Sequence, residues 1–198
     1  MCGCERPARG TSARRLGRHP TDDDAIAELA WSVGVSVRRE DPSDGSRALD
    51  PVIHATIEPW PQFPFIATVQ CTCPFLTRAT VERCIHAVTD EGFDTALTVR
   101  DDRGLRWERA KLETTKVNMP ARLTRQQMPP TWRETGGCLV TKREHVSAHC
   151  RIGPRVQLVP VTGREALDLD TEEDWLLAEA YIAKPVDTSG YAGLYQGM

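Results

Sequence analysis

Ala166-Leu-Asp-Leu-Asp-Thr-Glu-Glu-Asp174 is the stretch from which the rest of the chain is read. Asp168 and Asp170 stand two positions apart, and on an extended strand side chains at i and i+2 share one face. A strand end here would therefore present two carboxylates together. They repel each other unless a cation sits between them and the ligand they face. Oxygen-only ligation of this kind suits Mg²⁺, which takes one or two carboxylates plus substrate phosphates. Thr171 follows as a helix N-cap, with Glu172, Glu173 and Asp174 in the first turn, where the helix dipole favours acids. Leu176, Ala180 and Tyr181 predict the apolar stripe of that helix. A solvated acidic strand-to-helix turn is the plainer reading of the same residues.

With 198 residues, one α/β domain is the natural count, and the chain is long enough to bury a core. A net charge of −3 with mixed signs argues against a basic nucleic-acid surface. No apolar run approaches the ~18–20 residues of a membrane span. The Arg-rich N-terminus has no apolar segment of the kind a secretory signal carries, so a cytoplasmic location is expected. The seven cysteines are Cys2, Cys4, Cys71, Cys73, Cys84, Cys138 and Cys150. Their odd number and scatter argue against a disulfide framework. The two C-x-C pairs, with Cys84 and His86 nearby, raise zinc, but structural zinc favours wider pairs. Buried thiols are expected instead.

Residues 1–20 show neither strand nor helix period and read as an irregular Arg/Gly-rich segment, with no strand ahead of Thr21. Thr21-Asp-Asp-Asp24 caps a helix in which Ile26, Leu29, Ala30 and Val33 form the apolar stripe, stopped by Gly34. Val35 to Val37 reads as a short strand. Asp50-Pro51 opens a short helix through Val52, Ile53 and Ile57. Phe65-Ile-Ala-Thr-Val69 reads as a buried parallel strand. It delivers Gln70-Cys-Thr-Cys-Pro-Phe-Leu76 to its carboxyl end, where open α/β sheets place ligands. A helix through Val81, Cys84, Ile85 and Val88, ended by Gly92, and a strand from Thr95 to Val99 complete a β-α-β unit. Residues 101–133 lack a period, carry Pro120, Pro129 and Pro130, and are too long for an ordinary connection. Strands are expected again at Gly137–Thr141 and Val156–Val161. No histidine spacing supports a hydrolase triad.

Four segments in co-linear order, from about Thr21 to Ile182, share a resemblance. They are TDDDAIAELAWSVGVSV from Thr21, the Gln70 segment, RQQMPPTWRETGG from Arg125, and LDLDTEEDWLLAEAYI from Leu167. Together they resemble the acylneuraminate cytidylyltransferase (CMP-sialic acid synthetase) family. The resemblance implies a Rossmann-like nucleotidyltransferase fold, three-layer α/β/α with a mostly parallel sheet. It implies transfer of CMP from CTP to an acidic nine-carbon sugar with release of diphosphate. Asp168 and Asp170 would be the catalytic pair and hold Mg²⁺. Gln70 would contact both nucleotide and sugar, Arg39 and Ser46 the nucleotide, and Arg125 the sugar carboxylate, which its planar fork suits. Arg106 or Lys111 would add positive charge.

Pro7-Ala-Arg-Gly-Thr-Ser12 is similar to the family's phosphate loop, with Arg9, Gly10 and Ser12 at the matching positions. The strand before that loop, and the helix and strand after it, have no counterpart in the sequence, so the N-terminal strand and phosphate loop read as missing. The implied organisation is an irregular segment over 1–20, a cytidylyltransferase-like domain over 21–185 and a tail over 186–198. Within the domain, a dimerisation arm at about 101–133 would cross to a second protomer. CTP, an acidic sugar and a second copy of the chain are the expected partners, with neither nucleic acid nor membrane. The alternatives are a truncated, non-catalytic homologue unable to bind CTP alone, or an enzyme of the same fold for pseudaminic, legionaminic or 3-deoxy-octulosonic acid.

Overall fold

In a computed structural model the protein is described over residues 17–41, 48–110, 113–116 and 122–183, with 108–110 and 113–116 described by their backbone alone. Ser46, Lys111 and the Pro7–Ser12 segment lie outside the described residues, and so does the phosphate-loop question. The chain divides into two compact units, Met1–Pro59 and Trp60–Met198.

In the first unit, β1 (Arg18–Thr21) pairs in parallel with β2 (Ser36–Arg39), Thr21 standing opposite Arg39. Helix α1 (Asp24–Ser32) connects them and packs on both. The strand ahead of the acidic helix start, which the sequence did not suggest, is therefore present. Four residues are too few to display a period of two, and Pro20 brings no N–H to the ladder. Thr21 ends that strand instead of capping the helix. The cap is Asp23, whose Oδ1 accepts from Ile26 N at 2.9 Å. Gly34 has φ +80, which lets the chain turn back after the helix. The expected stripe is corrected too: Ile26, Leu29 and Val33 are exposed, and Ala27 is the buried residue. Helix α2 (Leu49–Ile57) begins at Leu49, before the expected Asp50 cap, and buries Thr56.

The second unit holds a four-stranded sheet in the order β3-β7-β4-β8. Its strands are β3 (Phe65–Val69), β4 (Thr95–Asp101), β7 (Trp132–Lys142) and β8 (Val156–Pro160). β7 runs antiparallel to both β3 and β4, while β4 and β8 are parallel. Three of the four strands thus point one way, with a reversed strand inserted between them. β3 is not the buried parallel strand that its apolar run suggested. It lies at the sheet edge, Phe65 and Val69 are exposed, and its hydrogen-bonding partner is antiparallel. A largely apolar pentapeptide does not say which of its faces will be covered.

Helix α3 (Arg78–Thr89) covers one face of this sheet. Its Cys84, Ala87 and Val88 pack with Ala96, Cys138, Val140 and Val159. Leu97, Val99 and Leu139 form a second cluster with Trp132, Val156 and Leu158. Successive residues of β4 and β7 alternate between the two clusters, as a pleated strand requires. Val88, Val99 and Val140 are fully buried, each contributing on the order of 1.5–3 kcal/mol relative to exposure. At the amino end of β4, Asp94 Oδ1 accepts from Lys142 Nζ at 2.6 Å and Oδ2 from Arg155 N at 3.1 Å. That carboxylate ties β4 to the end of β7 and to the entry of β8. The Lys142 hydrogen bond holds it below the usual carboxylate range.

The aperiodic segment contains a hairpin, β5 (Trp107–Ala110) paired antiparallel with β6 (Glu113–Lys116), where only loop was expected. Cys73, Cys84 and Cys138 are buried free thiols, but Cys71 and Cys150 are exposed, which corrects the expectation for those two. Among the described residues there is no group of three or more His, Cys, Asp or Glu that could hold a metal, and Cys2 and Cys4 lie outside them. No helix among them is long and apolar enough to cross a membrane.

Candidate active site

The site is built where β3 ends and β7 is distorted. On β4, the step from Leu97 to Val99 corresponds on β7 to the step from Leu139 to Glu134. The extra β7 residues form a bulge, a device that re-aims the chain beside functional sites. Two buried threonines hold it. Thr135 Oγ1 donates to Thr98 Oγ1 at 2.8 Å, and Cys138 N donates to the same Thr98 oxygen at 3.0 Å. Gly136 lies in this bulge with φ +74, a conformation that costs other L-residues about 1–2 kcal/mol.

Gly136 is also hemmed in. A Cβ on it would stand 2.2 Å from Gln70 Oε1 and 3.3 Å from Asp168 Oδ2. Gln70, at the carboxyl end of β3, and Asp168, roughly a hundred positions later in the chain, therefore converge on one glycine. Gln70 N also donates to Gly137 O at 3.3 Å, which fixes the turn out of β3 against the bulge.

Asp168 and Asp170 are not on a strand, as the sequence had suggested. β8 ends at Pro160, a 3-10 turn over Gly163–Ala166 intervenes, and the pair follows in irregular chain. Leu169 N donates to Thr72 O at 2.9 Å and docks the loop on the Gln70 segment. Asp168 is half-buried and Asp170 exposed. Cys73 Sγ lies 3.6 Å from Asp168 Oδ1 and 3.4 Å from Thr135 O. Burial first, then the Asp168 charge, with a smaller contribution from Asp170, push this thiol up to about 12. Cys73 therefore stays a neutral thiol between Asp168 and the bulge.

Thr171 follows as the sequence predicted. Its Oγ1 donates to Asp174 Oδ2 at 2.7 Å and its N to the same oxygen at 2.9 Å, closing the start of α4 (Glu172–Ala183). The expected apolar stripe of that helix is not its buried face: Ala178 is buried, while Leu176, Leu177 and Trp175 are exposed. Tyr181 is half-buried and meets Phe75 edge-on at 5.7 Å, linking α4 to the Gln70 segment.

The other candidates make contacts of their own. Arg125 sits in a short 3-10 turn (Arg125–Gln127), is exposed, and makes no hydrogen bond or ion pair with Gln70 or Asp168. Its charge is felt at Asp101, whose carboxyl is held low chiefly by Arg103 and to a lesser degree by Arg125. Arg39 belongs to the first unit, where its guanidinium is engaged by the Asp24 carboxylate and donates to Asp23 O at 3.2 Å. Arg106 pairs with Asp102. Thr98, Thr135, Gly136 and Cys73 were missed as site-building residues. The adjacent glycines Gly136 and Gly137 at the start of an expected strand were the available signal, since such glycines mark a bulge or a close approach.

Asp168 beside Gly136 and Asp170 two positions on are ligands of the type Mg²⁺ takes, since that ion needs only one or two protein carboxylates when phosphates complete its shell. They do not form a closed protein cage.

No family model matches the chain. It is 25% identical over 173 residues to N-acylneuraminate cytidylyltransferase B of Danio rerio, covering 83% of this chain and 41% of that protein. It is 23% identical over 173 residues to the A form of the same fish, covering 83% and 40%. The Oncorhynchus mykiss N-acylneuraminate cytidylyltransferase is 25% identical over 183 residues, covering 88% and 41%. The chain thus spans about two-fifths of the length of the curated relatives it matches. Among solved structures it is similar to a CMP:2-keto-3-deoxy-manno-octonic acid synthetase complexed with CTP. That match has TM-score 0.60 and 12% identity, covering 87% of this chain and 82% of the other. It is also similar to 4-diphosphocytidyl-2C-methyl-D-erythritol synthase of Anaerococcus prevotii, with TM-score 0.59 and 12% identity, covering 82% and 78%. The nucleotidyltransferase-type α/β fold expected from the motifs is the fold of these neighbours, and the family resemblance stands in the curated relatives.

Proposed function

We propose that this relative of the N-acylneuraminate cytidylyltransferases is a cytosolic enzyme that transfers CMP from CTP to an acidic nine-carbon sugar. In that reaction the sugar's 2-hydroxyl oxygen attacks the α-phosphorus, the hydroxyl proton is lost, and the bond to diphosphate breaks. The observation that carries the reading is the convergence of Gln70 and Asp168 on Gly136 at the carboxyl end of β3. That is where open α/β sheets bind ligands.

Each residue has a role in this reading. Asp168 and Asp170 hold Mg²⁺, which would neutralise phosphate charge and orient the diphosphate leaving group. Gln70 offers an amide with both donor and acceptor to a base or sugar hydroxyl. Gly136 leaves the space that the Gln70 amide occupies. Arg125 would bind the sugar carboxylate, and Arg39 and Ser46 the nucleotide, as the family resemblance implies. Catalysis of this kind is positioning and charge neutralisation more than covalent chemistry. The arm over 101–133 reaches a second protomer in the proposed homodimer.

The test is Mg²⁺-dependent diphosphate release from CTP with a panel of acid sugars, alongside calorimetric CTP binding. Asp168→Asn and Asp170→Asn should each abolish release while CTP still binds more weakly. Wild-type turnover in both variants would sink the metal assignment. A wild-type chain with no saturable CTP binding would instead identify a non-catalytic homologue. Turnover of 3-deoxy-octulosonic, pseudaminic or legionaminic acid in preference to N-acylneuraminate would move the substrate within the same chemistry.

A further inference from the structure

We propose that Glu165 is a positioning residue that holds the Asp168 carboxylate in the site by fastening its loop to the amino end of α3. This rests on the reading of Asp168 as the metal carboxylate, and it concerns a residue that touches neither Gln70 nor the bulge.

Glu165 belongs to the 3-10 turn Gly163–Ala166, three positions before Asp168. Its Oε1 accepts from Thr77 N at 3.0 Å, from Thr77 Oγ1 at 2.7 Å and from Thr80 Oγ1 at 2.7 Å. Thr77 is the N-cap of α3, and Thr80 in its first turn is 1% exposed. A helix start leaves N–H groups unpaired and carries partial positive charge. A carboxylate placed there makes charge-assisted hydrogen bonds, roughly twice as strong as neutral ones. Arg83 Nη2 donates to Thr80 Oγ1 at 3.0 Å and supports the same cluster.

The second fastening lies just beyond Asp168, where Leu169 N donates to Thr72 O at 2.9 Å. Ala166, Leu167 and Asp168 are strung between these two anchors, with Ala166 and Leu167 buried. A segment so short, fixed at both ends, has few dihedrals left to vary. Arg164 adds a lateral brace, its guanidinium 5.6 Å from the Tyr181 ring that meets Phe75. Without Glu165 the loop loses its hydrogen bonds to the start of α3 while the Leu169 bond beyond Asp168 remains, and Asp168 can swing away from Gly136 and Cys73.

The test compares the full chain with Glu165→Gln, Glu165→Ala and Thr80→Val. One readout needs no metal or nucleotide: the alkylation rate of each cysteine by N-ethylmaleimide, resolved by peptide mass spectrometry. The other is Mn²⁺ binding in the presence of CTP, with kcat and KM for CTP. In Glu165→Ala, Cys73 alkylation should rise sharply while exposed Cys71 and core Cys84 and Cys138 stay unchanged, and metal affinity should fall about tenfold, the scale for residues that orient ligands. Glu165→Gln keeps an accepting oxygen and Thr80→Val removes one donor, so both should be intermediate, and they decide the matter if the alanine variant fails to fold. Unchanged Cys73 protection, or a rise shared by Cys84 and Cys138, would overturn the proposal. So would unaltered metal affinity in a variant whose wild type binds Mn²⁺. If the wild type binds no Mn²⁺, the metal reading fails, and the Cys73 rates alone still decide whether Glu165 holds the loop.

Discussion

Gly136→Ala separates the two demands placed on this glycine, one on the backbone and one on the neighbouring side chain. At φ +74 the backbone penalty for alanine is about 1–2 kcal/mol. For a chain of this size each kcal/mol lowers Tm by about 2–4 °C, so melting should fall by about 2–8 °C. The new Cβ would stand 2.2 Å from Gln70 Oε1, against the 3.4 Å at which ordinary contact begins. The Gln70 amide must therefore withdraw by more than an ångström. Its end is flexible, so the movement adds little to the loss of stability. For the reaction the balance is reversed, because a misplacement of about 1 Å in a positioning group can lower the rate by about 10²-fold. The expected variant is folded and only modestly less stable, yet has lost most of its CTP-dependent diphosphate release. Gln70→Ala removes the obstructed group, so Gly136→Ala made in that background should keep its Tm penalty and cost little further activity. Such non-additivity is what contact between the two residues requires. Strict additivity of the two activity losses, or wild-type turnover in Gly136→Ala alone, would refute the geometry.

Other outcomes follow from the same structure. Thr135→Val removes the hydrogen bond to Thr98 inside the bulge, at a cost of about 0.5–1.5 kcal/mol for one lost bond, since Thr98 Oγ1 still accepts from Cys138 N; a lower urea midpoint and a raised KM for CTP are expected, and an unchanged midpoint would contradict the clamp. Asp94 is held below its ordinary pKa by Lys142, so its contribution to stability is present above the unfolded value of about 3.9 and is lost as pH falls through the lower folded value. The stability gap between the wild type and Asp94→Asn should accordingly be widest near neutrality and close in acid; a gap that persists in strong acid would exclude the ion pair as its cause. If the arm over 101–133 joins two protomers, light scattering should report a dimer, and a monomer at every accessible concentration would count decisively against that role.

The sequence by itself determined most of the elements of the second unit and some of the residues of the candidate site. The apolar run Phe65–Val69, the helix through Val81 and Val88, and the capped acidic start at Thr171 are local signals, and each arises from neighbours a few positions apart. Gln70 was named as the polar end of an apolar run and Asp168 by its D-x-D pair and the family resemblance, although the strand expected under that pair is absent. What β3 pairs with was not legible, because an apolar pentapeptide fits an edge or a centre and either strand direction. Only the tertiary structure set the antiparallel β7 beside it. Helix stripes failed in the same way: Ile26, Leu29 and Leu176 have the right period, but a period names a face without supplying what covers it. The bulge was equally hidden, since it depends on how β7 registers against β4 and on the buried Thr98–Thr135 bond. The meeting of Gln70, Gly136 and Asp168, and the grip of Glu165 on Thr77 and Thr80, join positions far apart in the chain. Those contacts exist only once the sheet and α3 have packed, which is why no local pattern announced them.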